Sequence, residues 1–320
     1  MKKKLLIILG AGSSVSCEMP SVRELDERVR EWGREWVGTL GFPNYFEELW
    51  KTIEAYYGSG KSTLRPAINY EKALGEMIAL SHWMEPAPWG NTLRQTASEG
   101  AAPPHLTFPQ GDYGATTTVN DQLTHLLIQL AKHMRERCLE LDRSTNTFAR
   151  YLQLMNGLQG KFEIGVYNLN YDTLALSARS GAFTGFASSG KFNANAVLQR
   201  QEWNFVYHLH GSVHYSLNHS FGDQIEWRDL AGEFVYGHRG LSTDERSDGK
   251  SLPKTALIAG GFKLDQLLVE PFHTHHAALA RHIYEADAIL IGACEGALLA
   301  AEQFTLQQFV GKRAAILDDE

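Results

Sequence analysis

The sequence predicts an α/β protein built on a parallel sheet that helices cover on both faces. Two observations carry this prediction. Short aliphatic runs bounded by Gly, Asn or Asp recur along the 320 residues, as is typical of strands buried on both faces. Longer stretches between them have apolar residues at helical spacing. The predicted strands are Leu5–Leu9, Phe162–Asn168, Phe205–Leu209, Ala286–Ile291 and Ala314–Leu317.

The segment between the first two strands takes up about half of the chain and is mostly helical in pattern. Ser21 and Glu24 form a capping box, which predicts a helix from Val22 onward. Further helices are predicted around Phe46–Ile53, Asn120–Leu141 and Phe148–Met155.

Residues 82–118 differ from their surroundings. They hold five of the ten prolines and show little periodicity, so we expect a long loop or insertion there. The whole pattern predicts one domain over residues 1–320, with a helical subdomain over residues 20–160 inserted after the first strand. Because the chain stops directly after its last predicted strand, it can be a piece of a longer protein.

Composition excludes several functional classes. A net charge of −7 argues against a protein that holds nucleic acid on a general basic surface. Cys17, Cys138 and Cys294 are scattered and odd in number, so they build neither a disulfide framework nor a four-cysteine zinc site. The first apolar run is too short for a signal peptide, and no run is long enough to span a membrane. We therefore expect a cytoplasmic protein.

A glycine-rich turn, Gly10–Ser14, directly follows the first predicted strand. Glycines there let the backbone turn tightly and bring free amides close to a diphosphate, as in Rossmann-like folds. The dinucleotide fingerprint has a third glycine where this chain has Val15, which weakens a dehydrogenase interpretation. The alternative is an ordinary strand-to-helix turn.

Two further polar segments follow predicted strands. Asn168–Asp172 lies at the carboxyl end of the second strand, where ligands bind in open α/β sheets, although Asn and Asp there also cap helices. His208–His214 follows the third strand. It is either a metal site of three imidazoles or a single base, His210, beside a glycine that admits a ligand. Core histidines are the plain alternative for His208 and His214.

Three other segments fit known motifs but give weaker evidence of a functional site. Ala55–Ser62 satisfies a relaxed Walker-A pattern, but it follows a predicted helix, so a glycine helix stop is the better interpretation. Asp287–Cys294 is a strand ending in small residues against which a nucleotide can lie, and Cys294 is expected to be a buried thiol. His273–His276 opens a helix and is expected to be structural.

Taken in order, these segments resemble the sirtuin (silent information regulator) family, and most closely the sirtuin-like domains of bacterial antiphage defence systems. The matching pieces span nearly the whole chain: Gly10–Ser14, Pro20-Ser21, Asn170–Asp172, His210–Ser212 and the strand ending at Gly292. The resemblance implies NAD as substrate, no metal, and cleavage of the nicotinamide–ribose bond. The four-cysteine zinc module of protein-deacylating sirtuins has no counterpart here.

The resemblance also implies roles for individual residues. Asn170 orients the attacking water, His210 acts as general base at the ribose, and Asp172 supports that geometry. The residues implied in binding NAD are Gly10, Ala11, Gly12, Ser13, Ser14, Pro20, Tyr171, Gly211, Ser212, Gly292 and Ala293.

The resulting hypothesis is an NAD+ glycohydrolase that depletes NAD+ in antiphage, abortive-infection defence. The resemblance implies activation within a complex: a homo-oligomer, and a partner such as a translocase-type ATPase or a short prokaryotic Argonaute, with no direct nucleic-acid or membrane contact. Two alternatives stay open: an NAD-dependent deacylase or ADP-ribosyltransferase, and a catalytically silent, nucleotide-sensing scaffold. The least favoured alternative is a metallohydrolase that binds its metal through the three histidines of His208–His214.

Overall fold

The computed structural model describes residues 2–37, 44–58, 68–84, 113–218, 224–230, 242–245, 251–254, 257, 267, 269–292 and 314–317. Its strands, in chain order, are β1 (Lys3–Leu9), β2 (Phe162–Asn168), β3 (Asn204–His208), β4 (Tyr215–Asn218), β5 (Gln224–Trp227), β6 (Ser242–Glu245), β7 (Ser251–Lys254), β8 (Ala288–Gly292) and β9 (Ala314–Leu317). Its helices are α1 (Gly12–Val15), α2 (Val22–Glu35), α3 (Phe46–Gly58), α4 (Tyr70–Met84), α5 (Tyr113–Glu140), α6 (Asn146–Lys161), α7 (Leu174–Ala178), α8 (Ala194–Leu198) and α9 (Phe272–Glu285).

The central sheet has five parallel strands in the order β3-β2-β1-β8-β9. From β1, in the middle, the chain builds one side of the sheet with β2 and β3, and later the other side with β8 and β9. This is the doubly wound, Rossmann-like arrangement, and its topological switch point lies between β1 and β8. The α/β prediction is confirmed, and all five predicted strands belong to this sheet.

Helices cover both faces of the sheet, because alternate residues of the buried strands point to opposite sides. On one face, Leu6 shares a hydrophobic core with Leu279 of α9. On the other face, Ile7 shares a core with Met155 of α6 and Ala178 of α7. The strands are therefore almost wholly apolar, and their polar residues are concentrated at their ends.

A separate hydrophobic core lies among the helices between β1 and β2, and α2, α3, α4 and α5 contribute to it. The predicted capping box is present: the Ser21 hydroxyl accepts a hydrogen bond from the Glu24 amide at 3.2 Å. α3 ends at Gly58, as expected for a glycine stop; residues 59–67 lie outside the described residues. The division into a domain over 1–320 and a subdomain over 20–160 stays a prediction.

The described residues show helix at both ends of the predicted loop or insertion over residues 82–118. α4 continues to Met84, and α5 begins at Tyr113, seven residues before the predicted start. The Gly and Thr residues of the first turns of α5 have low helix propensity, yet Val119 is fully buried, so packing decides the conformation there. Residues 85–112 lie outside the described residues.

Smaller differences concern strand ends and hairpins. Ala286 is not in a strand, because its amide caps α9 by donating to the His282 carbonyl. Leu209 lies just past β3, although its amide still donates to the Asn168 carbonyl. Two antiparallel pairs, β4–β5 and β6–β7, were not predicted. Within the described residues, no helix is long and apolar enough to cross a membrane.

Candidate functional site

The predicted site segments follow four strand ends that lie side by side. In the sheet register, Leu9 pairs with Gly292 on one side and with Asn168 on the other, and Asn168 pairs with His208. Each of these residues is the last of its strand. The glycine turn, the asparagine segment and the histidine segment therefore leave the sheet along one carboxyl edge. The glycine turn and the end of β8 border the topological switch point, where open α/β sheets bind ligands.

The glycine turn after β1 is closed by its own hydrogen bonds. The Gly10 amide donates to the Gly292 carbonyl at 3.0 Å, which joins the turn to the end of β8. The Ser13 hydroxyl donates to the Gly10 carbonyl at 2.6 Å, and the Ser14 hydroxyl donates to the Ala11 carbonyl at 3.1 Å. Among the described residues, the amides of Ala11 and Gly12 have no backbone acceptor. These two donors are the groups that the turn can offer to an anion.

Asn170 joins the asparagine segment to the glycine turn. Its side-chain Nδ2 donates to the Gly10 carbonyl at 2.8 Å and lies 3.2 Å from the Ser14 hydroxyl oxygen. Because a carbonyl can only accept, the Gly10 contact fixes which end of the amide carries the nitrogen. The Asn170 backbone amide donates to Asn168 Oδ1 at 3.1 Å. The half-buried Asn170 side chain is thus held with its nitrogen on the turn.

Asp172 lies behind this contact. Its side chain is 2% exposed, and Oδ1 accepts a hydrogen bond from the Leu174 amide at 2.9 Å at the start of α7. Burial raises the pKa of the Asp172 carboxyl, while the hydrogen bond from the Leu174 amide acts in the opposite direction. Asp172 therefore lies beneath the first turn of α7 and has almost no surface through which to touch a ligand.

The histidine segment turns sharply after β3. Gly211 has φ +102°, a left-handed conformation that a side chain would strain, and it bridges to Leu257. His210 and Ser212 are both buried. The Val213 amide donates to the Tyr171 carbonyl at 2.9 Å, so the histidine and asparagine segments are directly joined.

The other residues implied in NAD binding differ in how close they lie to the glycine turn. The Tyr171 side chain packs into the core of the inserted helices. Pro20 is buried beside the N-cap of α2, and Met19, directly before it, donates its amide to the Ser14 carbonyl of the glycine turn at 3.3 Å. A Cβ on Gly292 would lie 3.8 Å from the Ser13 Cβ, so Gly292 borders the turn. Ala293 and Cys294 lie outside the described residues.

The three histidines of the segment are held separately. His208 Nδ1 lies 3.2 Å from the Asn170 carbonyl oxygen, whereas the His214 ring stacks on Trp227 with centroids 4.2 Å apart. Burial lowers the pKa of His208 to about 4. Among the described residues, no three His, Cys, Asp or Glu side chains are grouped as metal ligands. Sequence reasoning placed His208 in the core and missed its contact with Asn170.

The missed contact had a sequence signal. His208 ends the strand that pairs with the strand ending at Asn168, so a parallel neighbour was predictable from the two strand exits. The buried His275 was also passed over: its Nδ1 lies 3.1 Å from the His208 carbonyl oxygen, which ties α9 to the same edge. Nothing in the spacing of His273–His276 indicates that this member, and not its neighbours, turns inward.

Comparison with known proteins gives a distant structural likeness. No family model matches the chain, and no curated protein matches it. Among solved structures, a Sir2 homologue in complex with NAD aligns with 100% of this chain and 79% of its own, at 14% identity and a TM-score of 0.42. A mutant Sir2 homologue in complex with ADP-ribose aligns with 98% of this chain and 80% of its own, at 13% identity and a TM-score of 0.42. At such low identity and TM-score, the likeness assigns no activity to this chain.

Proposed function

We propose that this protein binds NAD+ at the carboxyl edge of its sheet and hydrolyses it to nicotinamide and ADP-ribose. One observation carries the proposal: the Asn170 amide donates to the carbonyl of Gly10, so the predicted catalytic side chain and the predicted phosphate-binding turn form a single unit. The sheet order supports it, because the glycine turn of this unit follows β1, which borders the topological switch point.

The glycine turn suits a diphosphate. The Ala11 and Gly12 amides are donors without a backbone acceptor among the described residues, and Ser13 adds a half-buried hydroxyl beside them. Gly292 borders Ser13 without crowding it, since even a methyl group on Gly292 would lie 3.8 Å from the Ser13 Cβ. In this proposal, Gly10–Ser14 and Gly292, with Ala293 beyond the described residues, border the diphosphate and adenosine.

The chemistry needs a positioned water more than it needs a strong catalyst. Nicotinamide leaves as a neutral pyridine while positive charge develops on the ribose, so a water held at the anomeric carbon completes the reaction. Asn170 orients that water, and His210 accepts the proton that it loses as the C–O bond forms and the C–N bond breaks. Asp172 contributes indirectly, from its buried position beneath the first turn of α7.

A second candidate is the silent, nucleotide-sensing scaffold. The 3% exposure of His210 favours it, because a base with so little exposed surface must gain access to substrate before it can act. Such a scaffold binds NAD+ without consuming it, with or without a partner protein.

The biological part of the proposal is antiphage defence by NAD+ depletion in the cytoplasm. It rests on the motif resemblance, and so do the expected homo-oligomer and the expected partner, a translocase-type ATPase or a short Argonaute. NAD+ depletion is toxic to the host, so a sensing partner that switches the activity on agrees with the proposed chemistry.

The test is NAD+ consumption by the purified protein, alone and with the product of its neighbouring gene, with products separated by chromatography. Asn170→Ala and His210→Ala should each lower kcat at least about 100-fold. Exposed residues of the same types, Asn195→Ala and His273→Ala, are the matched controls and should keep wild-type rates. Full activity in both site variants would show that the site is wrongly assigned; acyl-ADP-ribose or protein-linked ADP-ribose would favour the deacylase or transferase instead.

A further inference from the structure

His208 is a buried polar side chain at the edge of the candidate site. It ends β3, is 1% exposed, and its Nδ1 lies 3.2 Å from the Asn170 carbonyl oxygen. Because the carbonyl only accepts, Nδ1 must carry the ring proton. Nε2 then has a bare lone pair, and it has no hydrogen-bond partner among the described atoms.

Burying a histidine in this position costs more free energy than burying an apolar residue would. A leucine in the same place would fill the volume without burying an unpaired nitrogen. The imidazole offsets this cost by its hydrogen bond to the carbonyl of the half-buried Asn170. The backbone of this segment is held by hydrogen bonds from neighbouring residues. The Asn170 carbonyl accepts from the His208 ring, which belongs to another strand, and the Asn170 amide donates to Asn168 Oδ1. The next carbonyl, that of Tyr171, accepts from the Val213 amide.

His208 is itself held in place. His275 is fully buried, its Nδ1 lies 3.1 Å from the His208 carbonyl oxygen, and its ring stacks on Tyr207 with centroids 4.7 Å apart. Two imidazole N–H groups thus connect α9 to β3 and β3 to Asn170. From Asn170 the chain of hydrogen bonds continues through the side-chain amide to Gly10.

We propose that His208 is a positioning residue for the hydrolysis of NAD+: its Nδ1–H fixes the Asn170 backbone so that the Asn170 amide stays on the Gly10 carbonyl. This inference rests on the proposed function, in which Asn170 orients the attacking water. A misplacement of about 1 Å at such a group costs about 100-fold in rate. His208 does not touch the reacting atoms, so its loss should act on kcat and leave the Kd for NAD+ unchanged.

The test compares His208→Leu with His208→Asn, because the asparagine Nδ2 replaces the imidazole Nδ1–H and leucine does not. His208→Leu should lower kcat about 100-fold, and His208→Asn should restore most of the wild-type value. His282→Leu is the matched control. It is another fully buried histidine, its Nδ1 is bonded to the Tyr167 hydroxyl, and its loss should leave kcat unchanged. Wild-type kcat in a folded His208→Leu protein, or equal losses in the leucine and asparagine variants, would overturn the proposal.

A second measurement does not depend on turnover. In protein labelled with ¹⁵N at asparagine, the side-chain amide resonances of Asn170 should move in His208→Leu and stay in place in His208→Asn and His282→Leu. Unmoved resonances in His208→Leu would overturn the positioning role even if NAD+ is consumed. If the wild-type protein consumes no NAD+, the proposed function fails, and the same resonances then decide whether His208 positions Asn170.

Discussion

Acid should unfold this protein through three buried histidines. Burial lowers the pKa of His208 to about 4, and it lowers the pKa of His275 and that of His282 to about 3. A histidine in the unfolded chain titrates near pH 6.5. Above that pH the three rings are neutral in both states, so their titration does not affect stability. Below it the unfolded chain takes up protons that the folded protein excludes.

The size of the effect follows from this difference in proton uptake. Between about pH 6.5 and pH 4, each unit of pH lowers the free energy of unfolding by about 1.4 kcal/mol per histidine. At about pH 5 the three histidines together remove roughly 6 kcal/mol, compared with a total stability of roughly 5–15 kcal/mol for a typical protein. Asp26 and Asp172, whose pKa burial raises, act in the opposite direction; His125, His133 and His214, whose pKa burial lowers, add to the loss.

The assay is urea unfolding followed by circular dichroism at a series of pH values from about 7.5 to 5. His282→Gln removes one titrating ring and should lower the slope of stability against pH by about 1.4 kcal/mol per pH unit. His273→Gln is the control, since its side chain is 66% exposed, and should keep the wild-type slope. A free energy of unfolding that stays level down to pH 5, or a wild-type slope in His282→Gln, would refute the reasoning.

Two further predictions concern packing and thiol chemistry. A Cβ at Gly165 in β2 would overlap the Phe205 ring, so Gly165→Ala should destabilise by about 1–3 kcal/mol. Gly157→Ala on the exposed side of α6, where a Cβ meets nothing within 4 Å, should stabilise the protein by about 0.5–1 kcal/mol. Thermal melts of the two glycine variants check these opposite effects, and equal shifts in melting temperature would contradict them. Burial raises the pKa of Cys138 to about 12 and also raises the pKa of Cys17, so a Cys294→Ser protein should not react with a thiol reagent at pH 8 until it is unfolded. Rapid labelling of the native protein would show that these sites are open.

The sequence predicted the sheet well, because buried parallel strands are locally distinct. The strands Phe162–Asn168 and Ala314–Leu317 have the predicted bounds, because each is a short run rich in aliphatic residues. The prediction missed α4, although Ala73, Leu74, Met77 and Ile78 are buried at helical spacing.

The candidate site was predictable in its parts but not in its connections. Strand ends in a parallel sheet meet along one edge, so the proximity of the Gly10 turn to Asn170 could be expected. The partners of individual atoms could not be, because the inward rotation of His208 and His275 depends on which carbonyls the folded strands leave without a donor. Likewise, Tyr171 precedes Asp172 in a site motif, yet its side chain belongs to the helical core.

The most direct test of the central claim is NAD+ turnover by the activated complex, with Asn170→Ala compared against Asn195→Ala. We expect the wild-type protein and Asn195→Ala to release nicotinamide and free ADP-ribose in equal amounts, and we expect Asn170→Ala to bind NAD+ without releasing either. Undiminished release of nicotinamide by Asn170→Ala would contradict the account.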